Sequence, residues 1–235
     1  MAPCRYRSSA WHVRRVFLLS RKNRQRMSNP ASRLRVPKVP KQLKGDALSA
    51  DELAVMLKVP DDSPRGIRDC AVLRLLAFSG PRTRELVGVD VDDLALRDRE
   101  LVIRKGKGRK ERLTFFDRAT QSHLARYLVH GRPHIAMAGE PALLVNDFGW
   151  RVSPFVLCRI VARHAKAAGI ARRLTCISMR RTFCSLLLSG GANLKAIAEL
   201  AGHENLDTTT RYARLTIGEL KRIYHFAHPR SGRRP

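Results

Sequence analysis

Long apolar runs are absent from this 235-residue sequence, although 44% of its residues are apolar. A helix that crosses a membrane needs roughly 18 or more consecutive apolar residues, and no stretch approaches that length. The apolar fraction is still sufficient to build a hydrophobic core. The sequence therefore predicts a globular protein that does not span a membrane.

Cysteine is scarce, and its spacing argues against two kinds of site. A disulfide framework or a structural zinc site needs paired, regularly spaced cysteines, but no CxxC pair occurs here. This pattern is typical of a reducing compartment, and it predicts no metal site. The five widely separated cysteines are Cys4, Cys70, Cys158, Cys176 and Cys184.

Acidic residues are the third shortage. Only 20 Asp and Glu face 46 Lys and Arg, which gives a net charge of +26. Residues 1–45 hold 13 of those cations and no acid at all. Such a charge opposes compaction unless an anionic partner neutralises it, and nucleic acid fits best because each neutralised phosphate releases counterions. An acidic protein surface and a membrane surface are the weaker alternatives.

The residues that are present predict a mainly helical body. Ser49 to Glu52 form a capping box ahead of one helix, and a second runs from about 66 to 78. Residues 93–116 alternate between apolar and polar and contain two turns, which is typical of a small three-stranded antiparallel sheet. Further helices are predicted near 118–130, 154–168, 179–189, 194–201 and 216–227. We therefore expect an α+β fold, mainly α with one small sheet.

The chain divides into three parts by composition. Residues 30–45 contain three prolines and many cations but little periodicity, so we expect a basic extended linker. It separates residues 1–29, which include one amphipathic helical pattern, from a compact domain over residues 46–235. Residues 1–29 are rich in Arg and Ser and free of acids, so they also resemble an organellar transit peptide.

Five polar residues fall where predicted elements begin or end. Side chains at such junctions can share one cleft while rigid elements hold their backbones. Taken singly, each is more often a solvated or structural residue. They are Arg82 after Gly80-Pro81, Lys107 at a glycine-flanked turn, Arg180 in the first turn of a helix capped by Ser178, His203 after Gly202, and Tyr212 on a polar segment.

Together these five residues suit the cleavage of a phosphodiester. Two arginines offer forked donors to phosphate oxygens whose charge grows in the transition state. A lysine can protonate the departing alkoxide, and a histidine can assist proton movement. A tyrosine hydroxyl, activated by such neighbours, can act as the nucleophile. The resulting phosphotyrosyl ester would conserve bond energy, so that rejoining would need no cofactor.

The motifs around these residues resemble those of the tyrosine recombinase (phage integrase) family, and especially its Xer-like members. The ordered segments are GPRTREL, RKGKGRKER, SMRRTF, LAGH and RY. The resemblance implies the catalytic-domain fold of that family. It also implies site-specific cutting and rejoining of duplex DNA through a 3'-phosphotyrosyl intermediate. The catalytic residues it implies are Arg82, Lys107, Arg180, His203 and Tyr212, with Glu85 supporting Arg82.

We also expect a set of basic residues around these motifs to bind DNA. Several flank the hairpin turn, and the others follow the second arginine or precede the tyrosine. They are Arg104, Lys105, Arg109, Lys110, Arg181 and Arg211.

The sequence departs from the family pattern in two places. Ile177 stands where the family places a His or Lys, and the loss of one such donor typically slows catalysis by about 10²–10³. Residues 1–29 resemble only the last helix of the N-terminal core-binding domain. We expect that remnant to be poorly ordered and the chain to be a truncated or decaying recombinase of reduced activity. The transit peptide is then the weaker account of the same residues.

The resemblance also implies partners and a location. Subunits of the same or of a related chain would form a tetramer on paired DNA sites, in the cytoplasm at the nucleoid. The last helix, LKRIYHFAH, would dock on a neighbouring subunit, or its Leu220, Ile223 and Phe226 would fold back onto their own domain. Two other functions stay open: an inactive DNA-binding remnant, and a basic protein associated with RNA or ribosomes.

Overall fold

The structure is a computed structural model, and it describes residues 47–104, 111–202 and 217–228. The expectations for residues 1–29 and 30–45 therefore lie outside the described residues and stay predictions. The same holds for seven of the site residues predicted above. These are Lys105, Lys107, Arg109, Lys110, His203, Arg211 and Tyr212.

The described residues form helices around one small sheet, as the sequence predicted. The helices are α1 (Ala50–Met56), α2 (Pro64–Phe78), α3 (Thr83–Val87), α4 (Arg118–Arg126), α5 (Pro154–Ala167), α6 (Cys176–Ser189), α7 (Leu194–Ala201) and α8 (Ile217–Ala227). The strands are β1 (Leu94–Ala95), β2 (Glu100–Ile103) and β3 (Arg112–Phe115). The predicted fold class is thus confirmed. Within the described ranges, no helix is both long and apolar enough to cross a membrane.

Local polar signals set most of the helix starts. At α1, the Ser49 side chain accepts from the backbone N–H of Glu52 at 3.1 Å, and the Glu52 carboxylate accepts from the N–H of Ser49 at 2.9 Å. This is the capping box that the sequence predicted. Helix α2 has Ser63 as its N-cap and a proline at its first position, where a missing N–H costs nothing.

Helix α2 is the central element of the domain. Every residue from Gly66 to Phe78 is buried, because the helix is covered by neighbours on several sides, α4 and α6 among them. The main core forms around it from the α2 side chains and apolar residues of α1, α5, the sheet and the loops between them. The helix therefore has no solvent-facing side after Arg65, and its charged residues Arg68, Asp69 and Arg74 are buried with the apolar ones.

The sheet is antiparallel in the order β1-β2-β3. Leu94 pairs with Leu101, and Ile103 pairs with Arg112. The first turn contains Arg99 at φ 59°, a left-handed backbone conformation that lets β1 and β2 connect tightly. This register confirms the predicted sheet and places the start of β3 beside the end of β2.

Helix α8 folds back onto its own domain in this structure. Tyr224 is fully buried between Phe115 and Phe183 and donates its hydroxyl to the carbonyl of Phe78 at 2.7 Å. At the end of the helix, Gly190 lies so close that a Cβ on it would be 1.5 Å from the carbonyl oxygen of Ala227. The buried face of α8 is therefore used within the domain.

The start of α6 differs from the prediction. The N-cap is Thr175, and Ser178 lies at the third helical position. The two residues bond reciprocally, from the N–H of Ser178 to the Thr175 hydroxyl at 3.3 Å and from the N–H of Thr175 to the Ser178 hydroxyl at 3.2 Å. The prediction that Ser178 caps the helix was wrong because Thr175 supplies the first acceptor, and Arg180 consequently lies in the second turn.

Candidate active site

Arg82 and Arg180 meet at the C-terminal end of helix α7. Arg180 Nη2 donates to the carbonyl of Ala201, and Arg82 Nη2 donates to the carbonyl of Gly202. The other guanidinium nitrogen of Arg180, Nη1, donates to the carbonyl of Gly80 at 2.6 Å. Two residues almost one hundred positions apart are thus brought together by the last carbonyls of one short helix.

The end of α7 is suited to hold cations. Asn193 caps the start of the helix, and Gly202 ends it with φ 67°, a conformation that favours glycine. The last carbonyls of a helix have no partner within it, and they carry partial negative charge. Arginine side chains are natural partners for these groups.

Glu85 orients Arg82 through two contacts. The carboxylate accepts from the backbone N–H of Arg82 at 2.8 Å and from its Nη1 at 2.6 Å. Burial alone would raise the pKa of Glu85, but the charge of Arg112 and the hydrogen bonds from Arg82 and Arg112 outweigh it and lower the pKa. Glu85 is therefore held as a carboxylate, as its predicted supporting role requires.

Arg112 is a third arginine of this cluster, and the sequence analysis missed it. It donates from Nη2 to Glu85 at 2.8 Å and from Nη1 to the carbonyl of Leu200 at 2.7 Å. Only 16% of its side chain is exposed. The sequence pattern pointed the other way, because Arg112 and Thr114 are polar and share one face of β3, whereas the apolar Leu113 and Phe115 share the other. In the structure Thr114 is nevertheless fully buried, so the face that carries Arg112 is turned inward. A charged residue on an inward face requires a buried partner.

The cluster carries an excess of positive charge. The pKa of Arg180 is lowered to about 10, chiefly by burial and then by the charges of Arg82 and Arg112, while Glu85 acts in the opposite direction. Three guanidinium groups thus face a single carboxylate. An anion bound at this end of α7 would relieve their mutual repulsion, which is the electrostatic property that a phosphate site needs.

Ile177 lies at the second position of α6, and 64% of its surface is exposed. It precedes Arg180 by three residues, so the two side chains lie on the same side of the helix. Packing does not demand an apolar residue at an exposed position. The structure therefore places Ile177 where a polar residue would fit without disturbing the core.

The other described basic residues are more peripheral. Arg104 is exposed and pairs with Asp93, whose hydrogen bond and charge raise the pKa of the guanidinium. Arg181 is exposed on α6. Over residues 47–104, 111–202 and 217–228, no group of three or more His, Cys, Asp or Glu could hold a metal ion.

Comparisons with known proteins agree with this architecture. Residues 46–219 match the family model described as the phage integrase family. Tyrosine recombinase XerC of Vibrio cholerae serotype O1 is 34% identical over 215 residues, which cover 92% of this chain and 68% of that protein.

Two solved structures share the fold. A crystal structure of XerA recombinase superposes with a TM-score of 0.63 and 24% identity, over 95% of this chain and 76% of that one. The Tn1549 transposon integrase in complex with circular-intermediate DNA gives a TM-score of 0.70 with 17% identity, over 94% and 79% of the two chains.

Proposed function

The chain belongs to the phage integrase family of tyrosine recombinases, and on that premise we propose that it cuts and rejoins duplex DNA at specific sites through a 3'-phosphotyrosyl intermediate. The observation that carries the proposal is the convergence of Arg82 and Arg180 at the carbonyl end of α7. An arginine pair on rigid elements is a ready-made clamp for a phosphate group.

The two arginines would bind the non-bridging oxygens of the reacting phosphate. A guanidinium has five N–H donors, and the bonds to Glu85 and to carbonyls of the described residues occupy one hydrogen on each of two nitrogens in both side chains. The remaining donors would bind the phosphate oxygens. Because these contacts strengthen as negative charge grows on phosphorus, they lower the barrier of the chemical step.

The matching motifs supply the rest of the proposed mechanism. The Tyr212 oxygen would attack phosphorus, the 5'-oxygen of the next nucleotide would leave, and Lys107 would give that oxygen its proton. His203 would assist by a hydrogen bond or by moving the tyrosine proton. The free 5'-hydroxyl of a partner strand would then attack the ester and release Tyr212, with one phosphodiester exchanged for another.

Duplex DNA is the proposed substrate, and a tetramer on paired sites is the proposed assembly. The net charge of +26 favours a polyanionic partner. Two apolar side chains of α8, Ile217 and Phe226, are 56% and 68% exposed and give a neighbouring subunit a surface to contact. Light scattering of the protein with and without bound DNA would measure this assembly.

The test is covalent capture of DNA. We would incubate the protein with a pool of nicked duplexes that carry a randomised segment, and separate adducts on a denaturing gel. The wild type is expected to form a protein–DNA adduct, Tyr212→Phe none, and Ile177→His about tenfold more or better. An adduct that persists in Tyr212→Phe would refute the assignment of the nucleophile.

A second candidate function is a DNA-binding protein without catalytic activity, and the exposed Ile177 favours it. This alternative predicts DNA binding that weakens steeply with salt. It also predicts no adduct from either the wild type or Ile177→His. The same gel therefore separates the two functions.

A further inference from the structure

Two cysteines lie side by side where helices α5 and α6 meet. The Sγ atoms of Cys158 and Cys176 are 3.5 Å apart, within hydrogen-bond range of each other. Both thiols are free. Cys176 is buried, with 3% of its surface exposed, whereas Cys158 is partly exposed. Cys158 is thus the more exposed residue of the pair, and Cys176 is the buried one.

The buried thiol adjoins the arginine cluster through backbone and side-chain links. Cys176 is the first residue of α6, Ile177 follows it, and Arg180 lies one turn further on. The side chain of Thr83, the residue after Arg82, acts on the Cys176 thiol and partly offsets the rise in its pKa. The sulfur of Cys176 therefore lies close to Thr83, the neighbour of Arg82 in sequence, and one turn of α6 before Arg180.

We infer that Cys158 and Cys176 form an oxidisable dithiol, and that a peroxide converts them to a disulfide. This disulfide reversibly impairs the neighbouring cluster of Arg82, Arg112 and Arg180. The formation of the disulfide stands on the thiol geometry alone. The loss of DNA cleavage also rests on the proposed function.

The reaction has two steps. The thiolate of Cys158, the more exposed of the two residues, attacks a peroxide oxygen, which gives a sulfenic acid and releases an alcohol, or water from hydrogen peroxide. The Cys176 sulfur then attacks the Cys158 sulfur and displaces water. Overall, two thiols lose two electrons and two protons, and the peroxide accepts them.

The surroundings of the two thiols determine which of them reacts first with the peroxide. Burial, together with the neighbouring Cys158, raises the pKa of Cys176 to about 12. Since the thiolate is the reactive form, Cys176 is a poor first nucleophile and serves as the resolving thiol. The second step should accordingly accelerate as the pH rises from 7 to 9.

Closing the bond would move the start of α6. A disulfide requires sulfur atoms about 2.05 Å apart, so the 3.5 Å gap has to shrink by roughly 1.5 Å. Rotation of the Cys158 side chain can absorb part of this change. The rest falls on the first turn of α6, and a misplacement of about 1 Å in a catalytic group can slow a reaction by about 10².

The first test is chemical and needs no DNA. The 235-residue chain is treated with hydrogen peroxide, digested without reductant and analysed by mass spectrometry. We expect a Cys158–Cys176 cross-linked peptide that dithiothreitol reverses and that Cys158→Ala abolishes. Cys184→Ala, a partly exposed control on the same helix, should leave the cross-link intact. Thiols that stay free, or a different pairing, would overturn the inference.

The second test measures the consequence on an Ile177→His background. Oxidation should lower the yield of protein–DNA adduct at least tenfold, dithiothreitol should restore it, and the added Cys158→Ala change should remove the sensitivity. An equal adduct yield from fully cross-linked protein would overturn the effect on the site. If reduced protein forms no adduct, the proposed function fails, while peptide mapping still decides whether the dithiol exists.

Discussion

Arg112 donates to Glu85 across 2.8 Å and so ties strand β3 to the helix that follows Arg82. The same arginine reaches the carbonyl of Leu200 in α7. Three segments that are distant in sequence are thus held by one side chain. We regard Arg112 as a positioning residue, since it contacts Glu85, which holds Arg82, and the carbonyl of Leu200, the residue before the Ala201 carbonyl that Arg180 binds.

Replacing Arg112 should therefore impair catalysis more than binding. Arg112→Lys keeps a charge but cannot reproduce the two-pronged contact to Glu85 and Leu200. We expect the rate of adduct formation at saturating DNA to fall about tenfold or more, while the Kd for DNA changes less than about threefold. Single-turnover kinetics and fluorescence anisotropy measure the two quantities.

Arg126→Lys is the matched control, because Arg126 makes an exposed pair with Asp62. Arg126→Lys should change neither the rate of adduct formation nor the Kd for DNA. Equal losses of rate and affinity in Arg112→Lys would instead make Arg112 a DNA-binding residue.

Glu85→Gln should strongly destabilise the fold. Glu85 is 4% exposed and bonds to two arginines. Removing one partner of a buried charge network leaves the others uncompensated, which typically costs about 3–5 kcal/mol. Urea unfolding measures the change in the free energy of unfolding.

The control is Asp62→Asn, which removes an ion pair with Arg126 in which the two side chains are 86% and 43% exposed. Exposed pairs contribute only about 0–1 kcal/mol. Similar losses in both variants would contradict the central place of Glu85.

The ion pair between Glu52 and Arg172 makes the stability of the fold depend on pH, with a defined sign. A hydrogen bond from Arg172 lowers the pKa of Glu52 from 4.5 to about 2. A carboxyl group whose pKa is lower in the folded protein than in the unfolded chain stabilises the fold at pH values above the pKa of the unfolded chain. That stabilisation is lost as the pH falls through the pKa of the folded protein. The difference in urea midpoint between wild type and Glu52→Gln should be constant above pH 5 and vanish towards pH 2. A difference that persists at pH 2 would exclude this linkage.

Gly202→Ala should lower the free energy of unfolding more than an alanine replacement at another glycine with positive φ. A Cβ at Gly202 would lie 2.7 Å from Nε of Arg112, which Glu85 and Leu200 hold in place. Gly169 has a comparable φ of 75° with nothing within 4 Å of a Cβ, so Gly169→Ala measures the backbone term alone, about 1–2 kcal/mol.

We expect Gly202→Ala to lose at least about 1 kcal/mol more than Gly169→Ala in urea unfolding. It should also slow adduct formation, because the carbonyl of Gly202 holds Arg82. Equal losses of stability would show that Arg112 can move aside.

Much of the fold could be predicted from local signals. The capping box at Ser49, the alternation that produced the sheet, and Gly202 as a helix stop each depend on residues within a few positions. The start of α6 was misplaced because Thr175 and Ser178 are both good caps, and local pattern does not decide which acts first.

The parts that could not be predicted depend on contacts across the fold. Arg112 looked like one more cation beside a basic turn, because its partners Glu85 and Leu200 lie 27 and 88 positions away. The sequence also gave no sign that the carbonyl end of α7 would receive Arg82 and Arg180. The placement of Lys107, His203 and Tyr212 stays a prediction.

The most direct measurement removes the negative charge of the DNA phosphate that the two arginines are proposed to bind. Adduct formation is compared on a duplex with a normal phosphodiester and on one with a neutral methylphosphonate at the cleavage position, for wild type and Arg180→Ala. If Arg180 stabilises phosphate charge, the variant should be at least about 100-fold slower on the phosphodiester and within about tenfold of wild type on the neutral substrate. The same defect on both substrates would contradict the proposal that Arg180 binds the reacting phosphate.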